Sequence, residues 1–165
     1  MARIGSDLPP TLTLRGPRDT ERLARAIAPH LGAGDLVGLA GDLGAGKSVF
    51  ARALIGARLA ALGRAEPIPS PTYTLVQVYD LGDLELWHAD LYRLGGPGEL
   101  VELGLLEALD RSICVVEWAD RLGDAALARR LVVSLGFDPA DDDLRTATIE
   151  ARGPGWGWLT AALAA

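Results

Sequence analysis

Residues 36–48 read LVGLAGDLGAGKS, and this stretch determines the fold that we predict. The first five residues are apolar or glycine, as expected of a short strand that is buried on both faces of a sheet. The next eight match the pattern G-x-x-x-x-G-K-[ST] at every fixed position. Apolar residues at helical spacing then predict a helix from Lys47 to Leu62. A buried strand, a glycine loop and a helix in this order predict a loop that binds phosphate groups.

The residue types in this loop suit phosphate binding. Gly41, Gly44 and Gly46 allow backbone conformations that other residues rarely adopt, so that successive N–H groups can point at one phosphate. Lys47 is the only lysine in a chain with fifteen arginines, and we expect its compact ammonium group to contact the β- and γ-phosphates. Ser48 is expected to offer its hydroxyl group to Mg²⁺.

Length and composition indicate a globular chain. We expect the 165 residues to form one domain, spanning residues 1–165. With 49% hydrophobic and 23% charged residues, the sequence is not of the disordered type. A net charge of −6 argues against a protein that holds nucleic acid by electrostatics alone. No apolar run approaches the ~20 residues of a membrane span, and one cysteine fits a reducing compartment, so we expect a cytoplasmic location without membrane contact.

Strand and helix patterns alternate along the rest of the chain. Further strands are predicted at residues 11–14, 72–79, 84–89, 113–116, 131–137 and 144–151, and further helices at residues 19–31, 99–110 and 156–164. The strands at 72–79 and 84–89 flank a short turn and predict an antiparallel hairpin. We therefore predict an α/β fold, a three-layer sandwich of the P-loop NTPase type whose central sheet is mostly parallel with one antiparallel hairpin.

Two acidic residues directly follow predicted strands. Glu117 comes after the apolar strand 113–116, and the strand ends on this side of a parallel sheet form the ligand crevice, so Glu117 is a candidate magnesium ligand. Alternatively, it is the first exposed polar residue after a buried strand. Asp90 follows the strand 84–89, and its spacing alone favours a turn or helix-cap aspartate. His88 lies within that strand without ligand-spaced partners, so we expect it to have a structural role.

Four segments, taken in order along the chain, resemble the TsaE family of small bacterial ATPases, also called YjeE. They are GDLGAGK at residues 41–47, SPTYTLV at 70–76, DLYRL at 90–94 and VEW at 116–118. Many families share the phosphate loop, but the four motifs together are specific. The resemblance covers roughly residues 12–120, and it includes departures: Ser48 stands where the family usually has Thr, and Val49 where a second Thr is common.

The resemblance implies roles for residues of this chain. Ser48 and Glu117 would hold Mg²⁺, and Asp90 would be important for hydrolysis, near the γ-phosphate or its water. Thr72 would approach the nucleotide and respond to its state, and the segment that ends at Thr20 would border the adenine. The implied ATP-binding residues are Gly41, Gly44, Ala45, Gly46, Lys47, Ser48, Val49, Thr72 and Thr20, and the implied catalytic residues are Asp90, Glu117 and Lys47.

The resemblance also implies partners. The family acts with TsaB and TsaD, whose complex transfers the threonylcarbamoyl group to adenosine in tRNA, and ATP turnover by this subunit supports repeated cycles of that complex. The chain would therefore be a weak, partner-dependent ATPase that meets tRNA only through the complex. Whether Asp90 or Glu117 positions the attacking water stays open at this point.

Two other functions are compatible with the same loop. A small-molecule kinase would need an acceptor pocket and an arginine-bearing lid. Arg129 and Arg130 are not taken as such a lid, because we expect them on a surface helix. A nucleotide-gated binding module with negligible catalysis would need only the loop. The sequence argues against a switch specific for GTP, because the guanine-reading N-K-x-D motif requires a second lysine and the chain has none.

Overall fold

The computed structural model describes residues 10–125 and 129–165. Within these ranges the chain forms seven β-strands and five α-helices, with short 3₁₀ segments at Ala28–His30 and Ala119–Ala125. In chain order the elements are β1 (Thr11–Leu14), α1 (Pro17–Ile27), β2 (Leu36–Ala40), α2 (Lys47–Ala60), β3 (Val76–Asp80), β4 (Glu85–Asp90), α3 (Pro97–Glu102), α4 (Leu105–Arg111), β5 (Ile113–Glu117), β6 (Arg130–Asp138), β7 (Asp141–Arg152) and α5 (Leu159–Ala164). No helix in the described ranges has the length and apolar character that crossing a membrane requires.

The sheet is parallel in its centre and antiparallel at both edges. Its strand order is β1-β7-β6-β2-β5-β4-β3, and the neighbours β6, β2, β5 and β4 run parallel. β3 pairs antiparallel with β4, which confirms the predicted hairpin. β7 pairs antiparallel with both β6 and β1. The prediction of a mostly parallel sheet therefore holds only for the centre, because the turn between β6 and β7 is too short for the crossover that parallel strands need.

Helices cover both faces of the sheet, since successive side chains of a strand point to opposite sides. On one face, α1, α2 and α5 pack against residues such as Leu39 of β2 and Val115 of β5. On the other face, α3 and α4 pack against residues such as Cys114 and Val116 of β5. Burial on both faces explains why β2 and β5 are continuous apolar runs, and it leaves the strand ends as the places where polar groups collect.

Two predicted elements are interrupted by a residue with positive φ. The helix expected at 99–110 is two helices, α3 and α4, because Gly104 between them adopts φ 76°. The strand expected at 72–79 begins only at Val76, because Leu75 has φ 66° and the residues before it form a turn. This turn holds the 70–75 loop close to the end of β4, where the Asp90 N–H donates to the Leu75 carbonyl oxygen.

The two arginines considered for a kinase lid do not lie on a surface helix, so that prediction is wrong. Arg130 is the first residue of β6, and Arg129 immediately precedes it. Arg129 forms an ion pair with Asp35, a buried residue that immediately precedes β2. Its guanidinium also lies 4.6 Å from the ring centroid of Trp156. The glycine loop follows the C-terminal end of β2, whereas these arginines lie at the N-terminal ends of β2 and β6. They are therefore at the opposite ends of the strands from the loop.

Candidate functional site

The glycine loop connects the end of β2 to the start of α2. Gly41, Gly44 and Gly46 have φ values of 138°, 79° and 110°, which residues with a Cβ rarely adopt. The Phe50 N–H donates to the Gly46 carbonyl oxygen, so the helix begins directly after the loop. The first N–H groups of a helix have no partner within it, and its N-terminus is the positive end of the helix dipole. The loop and this helix end therefore form an anion-binding surface.

Gly41 also brings the loop into contact with β6. A Cβ built on Gly41 would lie 2.2 Å from the carbonyl oxygen of Leu135 and 3.3 Å from the Cβ of Ala45. A backbone oxygen in a sheet cannot move aside as a flexible side chain can. Glycine is required at this position both by its φ and by the approach of β6.

Replacing Gly41 by Ala is expected to lower the free energy of unfolding by at least about 2 kcal/mol, because strain and overpacking act together. The control is Gly63→Ala, since Gly63 has φ 71° but a Cβ built there meets no heavy atom of the described residues within 4 Å. That control should lose about 1 kcal/mol through backbone strain alone. Chemical denaturation measures both changes, and equal losses would contradict the importance of the Leu135 contact.

Lys47 is buried at the start of α2 and lies across the loop. Its Nζ donates to the carbonyl oxygens of Gly41 at 2.5 Å and Asp42 at 2.9 Å. The same atom lies 4.3 Å from the ring centroid of Trp118, a cation–π distance. Burial lowers the pKa of Lys47, while the negative charge of Glu117 and of other carboxylates around it acts in the opposite direction. The ammonium group is thus held next to any anion that the loop binds.

The register of β4 and β5 places two carboxylates side by side. Asp90 and Glu117 are register partners at the ends of these parallel strands, and both side chains are buried. Side chains alternate between the two faces of a strand, so Asp90 points to the same face as Leu86 and Glu117 to the same face as Val115, which is the face that α2 covers. Glu117 Oε2 accepts a hydrogen bond from Ser48 Oγ at 3.1 Å. The alternative that Glu117 is an exposed residue after the strand is wrong, because only 2% of it is accessible.

Asp90 connects the end of β4 to the 70–75 loop. Its Oδ2 accepts a hydrogen bond from Thr72 Oγ1 at 3.3 Å, and its Oδ1 accepts one from the Tyr92 N–H at 3.0 Å. The Thr72 hydroxyl also lies 2.7 Å from Ser70 Oγ. Asp90 therefore has the turn role that its spacing favours, and it faces the cleft above the glycine loop as well.

These groups converge on one cleft of about 320 Å³, a size typical of small-ligand sites. The predicted site residues that line it are Gly44, Gly46, Lys47, Ser48, Val49, Thr72, Asp90 and Glu117. Gly41 and Ala45 do not line it but lie within the loop. Thr20 lies beside the loop, with its Oγ1 3.9 Å from the position of a Cβ built on Gly46. Tyr92, Arg93 and Trp118 are also part of the lining.

Comparison with known proteins shows which family the chain belongs to. The family model described as "Threonylcarbamoyl adenosine biosynthesis protein TsaE" matches residues 14–146, which include every candidate site residue. The chain belongs to the TsaE family. The resemblance inferred from four motifs is therefore confirmed, and the TsaE match extends beyond them in both directions.

Individual relatives support the TsaE assignment. Two proteins named "tRNA threonylcarbamoyladenosine biosynthesis protein TsaE" are similar over most of the chain. The one from Rickettsia conorii is 41% identical over 137 residues, which is 83% of this chain and 75% of the relative. The one from Bacillus subtilis is 35% identical over 138 residues, covering 83% and 82%. A crystal structure of Bacillus subtilis YdiB is 29% identical and has a TM-score of 0.71 over 96% of this chain and 97% of that one.

The structure of this TsaE-family chain also brings His88 into contact with a residue of the site. The spacing of His88 predicts a structural role, but its Nε2 lies 2.9 Å from Glu117 Oε1. His88 precedes Asp90 by two positions on β4, and residues two apart on a strand face the same side. That period is the signal that could have found it, once Asp90 is taken as a site residue.

Proposed function

We propose that this chain is a Mg²⁺-dependent ATP-binding and ATP-hydrolysing subunit with a P-loop NTPase-like fold. With TsaB and TsaD, it would support the threonylcarbamoyl modification of adenosine in tRNA. The observation that carries the proposal is that a single cleft holds the glycine loop, Lys47 and the hydrogen-bonded pair of Ser48 and Glu117. Membership of the TsaE family and the names of its relatives support the biosynthetic role, and the cleft supports the chemistry.

The loop and Lys47 are suited to bind the triphosphate of ATP. The loop glycines and the first turn of α2 offer N–H groups to the phosphate oxygens. The Lys47 ammonium can exchange its contacts with the Gly41 and Asp42 carbonyls for contacts with phosphate oxygens. In that position it would neutralise the charge that develops on the γ-phosphoryl group during transfer.

Ser48 and Glu117 fit the part of a magnesium site that a protein supplies. Mg²⁺ binds six oxygens at about 2.0–2.1 Å, so neighbouring ligands lie roughly 3 Å apart. Ser48 Oγ and Glu117 Oε2 are 3.1 Å apart, and both residues line the cleft. When bound, Mg²⁺ neutralises charge on the β- and γ-phosphate oxygens. Serine keeps the hydroxyl group of the threonine that the family usually has at this position.

Asp90 is the better placed of the two carboxylates to orient the attacking water. Both oxygens of Glu117 are engaged, one by Ser48 and the other by His88. Asp90 Oδ2 accepts its hydrogen bond at 3.3 Å from Thr72, which lies on a partly exposed loop. Movement of that loop would free Oδ2 to accept a proton or hydrogen bond from a water beside the γ-phosphate.

The same loop explains why activity is expected to depend on partners. Tyr73, next to Thr72 at the tip of the loop, is 81% exposed, and the Arg93 guanidinium lies 4.6 Å from its ring centroid. Ordering of an exposed loop by a bound protein is a common way to complete a nucleotide site. Contact with TsaB and TsaD would therefore hold this loop in a position in which Thr72 no longer donates to Oδ2 of Asp90.

Phosphate release from ATP, measured with and without the TsaB–TsaD pair, tests this function. We expect slow release by the chain alone, a marked increase with the pair, and loss of both when EDTA removes Mg²⁺. Transfer of the γ-phosphate to a metabolite in place of water would support the small-molecule kinase instead. Tight ATP binding without phosphate release, even beside TsaB and TsaD, would support the nucleotide-gated binding module.

A further inference from the structure

His88 is fully buried in β4 and contacts a carboxylate of the proposed site. Its Nε2 lies 2.9 Å from Oε1 of Glu117, while Oε2 of the same carboxylate accepts a hydrogen bond from Ser48 Oγ at 3.1 Å. The three side chains come from β4, β5 and α2. They form a continuous chain of hydrogen bonds that runs from the interior of the sheet to the cleft.

The other ring nitrogen indicates which tautomer the histidine adopts. Nδ1 is buried and has no hydrogen-bond partner among the described residues. A proton on Nδ1 would be a buried donor without an acceptor, which is unfavourable. A proton on Nε2, in contrast, is donated to the Glu117 carboxylate, and only a lone pair is left unpaired at Nδ1. The contacts therefore favour the tautomer with the proton on Nε2.

We infer that His88 is a positioning residue, whose Nε2–H holds Oε1 of Glu117 so that Oε2 is directed at Ser48 and the magnesium position. This inference rests on the proposed function, because it takes Glu117 as a magnesium ligand. A ligating carboxylate can rotate about its last side-chain bond unless another group holds it, and such holding groups tune metal affinity. His88 is not part of the cleft lining, so it acts through Glu117 alone.

Packing is the competing explanation for His88. The side chain lies on the same face of β4 as Leu86, which belongs to the core under α2. Any side chain of similar volume would satisfy packing, whereas positioning needs an N–H donor at the place of Nε2. Variants of similar size that keep or lose this donor therefore separate the two explanations.

Nitrogen NMR on histidine-labelled wild-type protein, without nucleotide or metal, tests the tautomer directly. We expect the His88 ring to carry a proton on Nε2 and none on Nδ1. A ring without a proton on Nε2 would overturn the inference. This measurement needs no ATPase activity, so its failure is distinguishable from failure of the proposed function, which phosphate release reports.

Metal affinity tests the consequence, with His88→Gln and His88→Leu as the variants. The Gln amide can place an N–H near the position of Nε2, and Leu has no donor. We expect His88→Leu to raise the dissociation constant for Mn²⁺ in the ATP complex, read by electron paramagnetic resonance, about 10- to 100-fold. His88→Gln should restore most of this affinity. Equal Mn²⁺ affinity in His88→Leu and the wild-type protein would overturn the inference.

Two further variants serve as a control and as a substitute: one replaces a histidine outside the cleft, and the other is used if His88→Leu does not fold. His30→Gln is the matched substitution outside the cleft, because His30 stacks on Trp158 with ring centroids 4.6 Å apart. It should leave Mn²⁺ affinity unchanged. If thermal unfolding shows that His88→Leu is not folded, His88→Asn replaces it. The Asn side chain is polar, but its amide is too short to reach Glu117. Weaker Mn²⁺ binding by His88→Asn than by His88→Gln would support positioning, and equal binding would overturn it.

Discussion

Replacing Lys47 by Ala should increase the dissociation constant for MgATP about 10²- to 10⁴-fold, which removes binding at ordinary concentrations. The ammonium group is expected to contact both the β- and the γ-phosphate, and a hydrogen bond to a charged group contributes about 1.5–3 kcal/mol. Loss of two such contacts costs roughly 3–6 kcal/mol of binding free energy, which is equivalent to a change of about 10²- to 10⁴-fold in the dissociation constant. Isothermal titration calorimetry with MgATP measures it.

Two variants show whether this effect belongs to the position or to charge in general. Arg52→Ala removes one positive charge from an exposed position of the same helix and should leave affinity nearly unchanged. Lys47→Arg keeps the charge, but the planar guanidinium is too large for the space between the Gly41 and Asp42 carbonyls and the Trp118 ring. We expect it to bind nearly as weakly as Lys47→Ala. Wild-type affinity in Lys47→Ala would show that ATP does not occupy this cleft.

Replacing Asp90 by Ala should have the opposite pattern: ATP still binds, but phosphate release falls about 10²- to 10⁴-fold. Asp90 lines the cleft, but it contacts Thr72 and the Tyr92 N–H and not the loop that would hold the phosphates. Asp83→Ala, an exposed acid in the turn between β3 and β4, is the matched control and should keep full activity. Calorimetry and single-turnover phosphate release separate binding from chemistry. Normal turnover by Asp90→Ala would contradict the role of this residue.

The response to Mg²⁺ distinguishes the two carboxylates. Glu117→Ala should also retain nucleotide and lose hydrolysis, but through weaker metal binding. Raising the Mg²⁺ concentration should therefore restore part of the activity of Glu117→Ala and none of that of Asp90→Ala. Restoration of both variants, or of neither, would mean that the division of roles between Asp90 and Glu117 is wrong.

The parts of the site that could be predicted from sequence are those with a local signal. The loop at 41–48 is a contiguous pattern, and its glycines adopt the positive φ values that the pattern requires. The apolar runs of β2 and β5 end where polar residues begin, which pointed to Glu117. The chemistry of one cleft could thus be inferred without knowing how the strands pair.

The remaining parts depend on pairing between distant segments, which no local pattern encodes. The contact of His88 with Glu117 exists because β4 and β5 are neighbours in a particular register. Residues 72–75 are β-branched, aromatic or apolar and favour a strand, but they form a turn in which Leu75 has a positive φ. The hydrogen bond from the Asp90 N–H to the Leu75 carbonyl oxygen holds this turn, so a tertiary contact overrides local propensity. The antiparallel pairing of β7 with β6 likewise follows from turn length rather than from composition.

The alignment of Asp90 with Glu117 also restricts how this protein can evolve. A one-residue insertion or deletion within β4 or β5 would turn one carboxylate to the other face of the sheet. Descendants of this gene can therefore alter the length of these strands only by paired changes, which are rare. The α3–α4 connection and the β6–β7 turn carry no such restriction, so length differences between species should accumulate there.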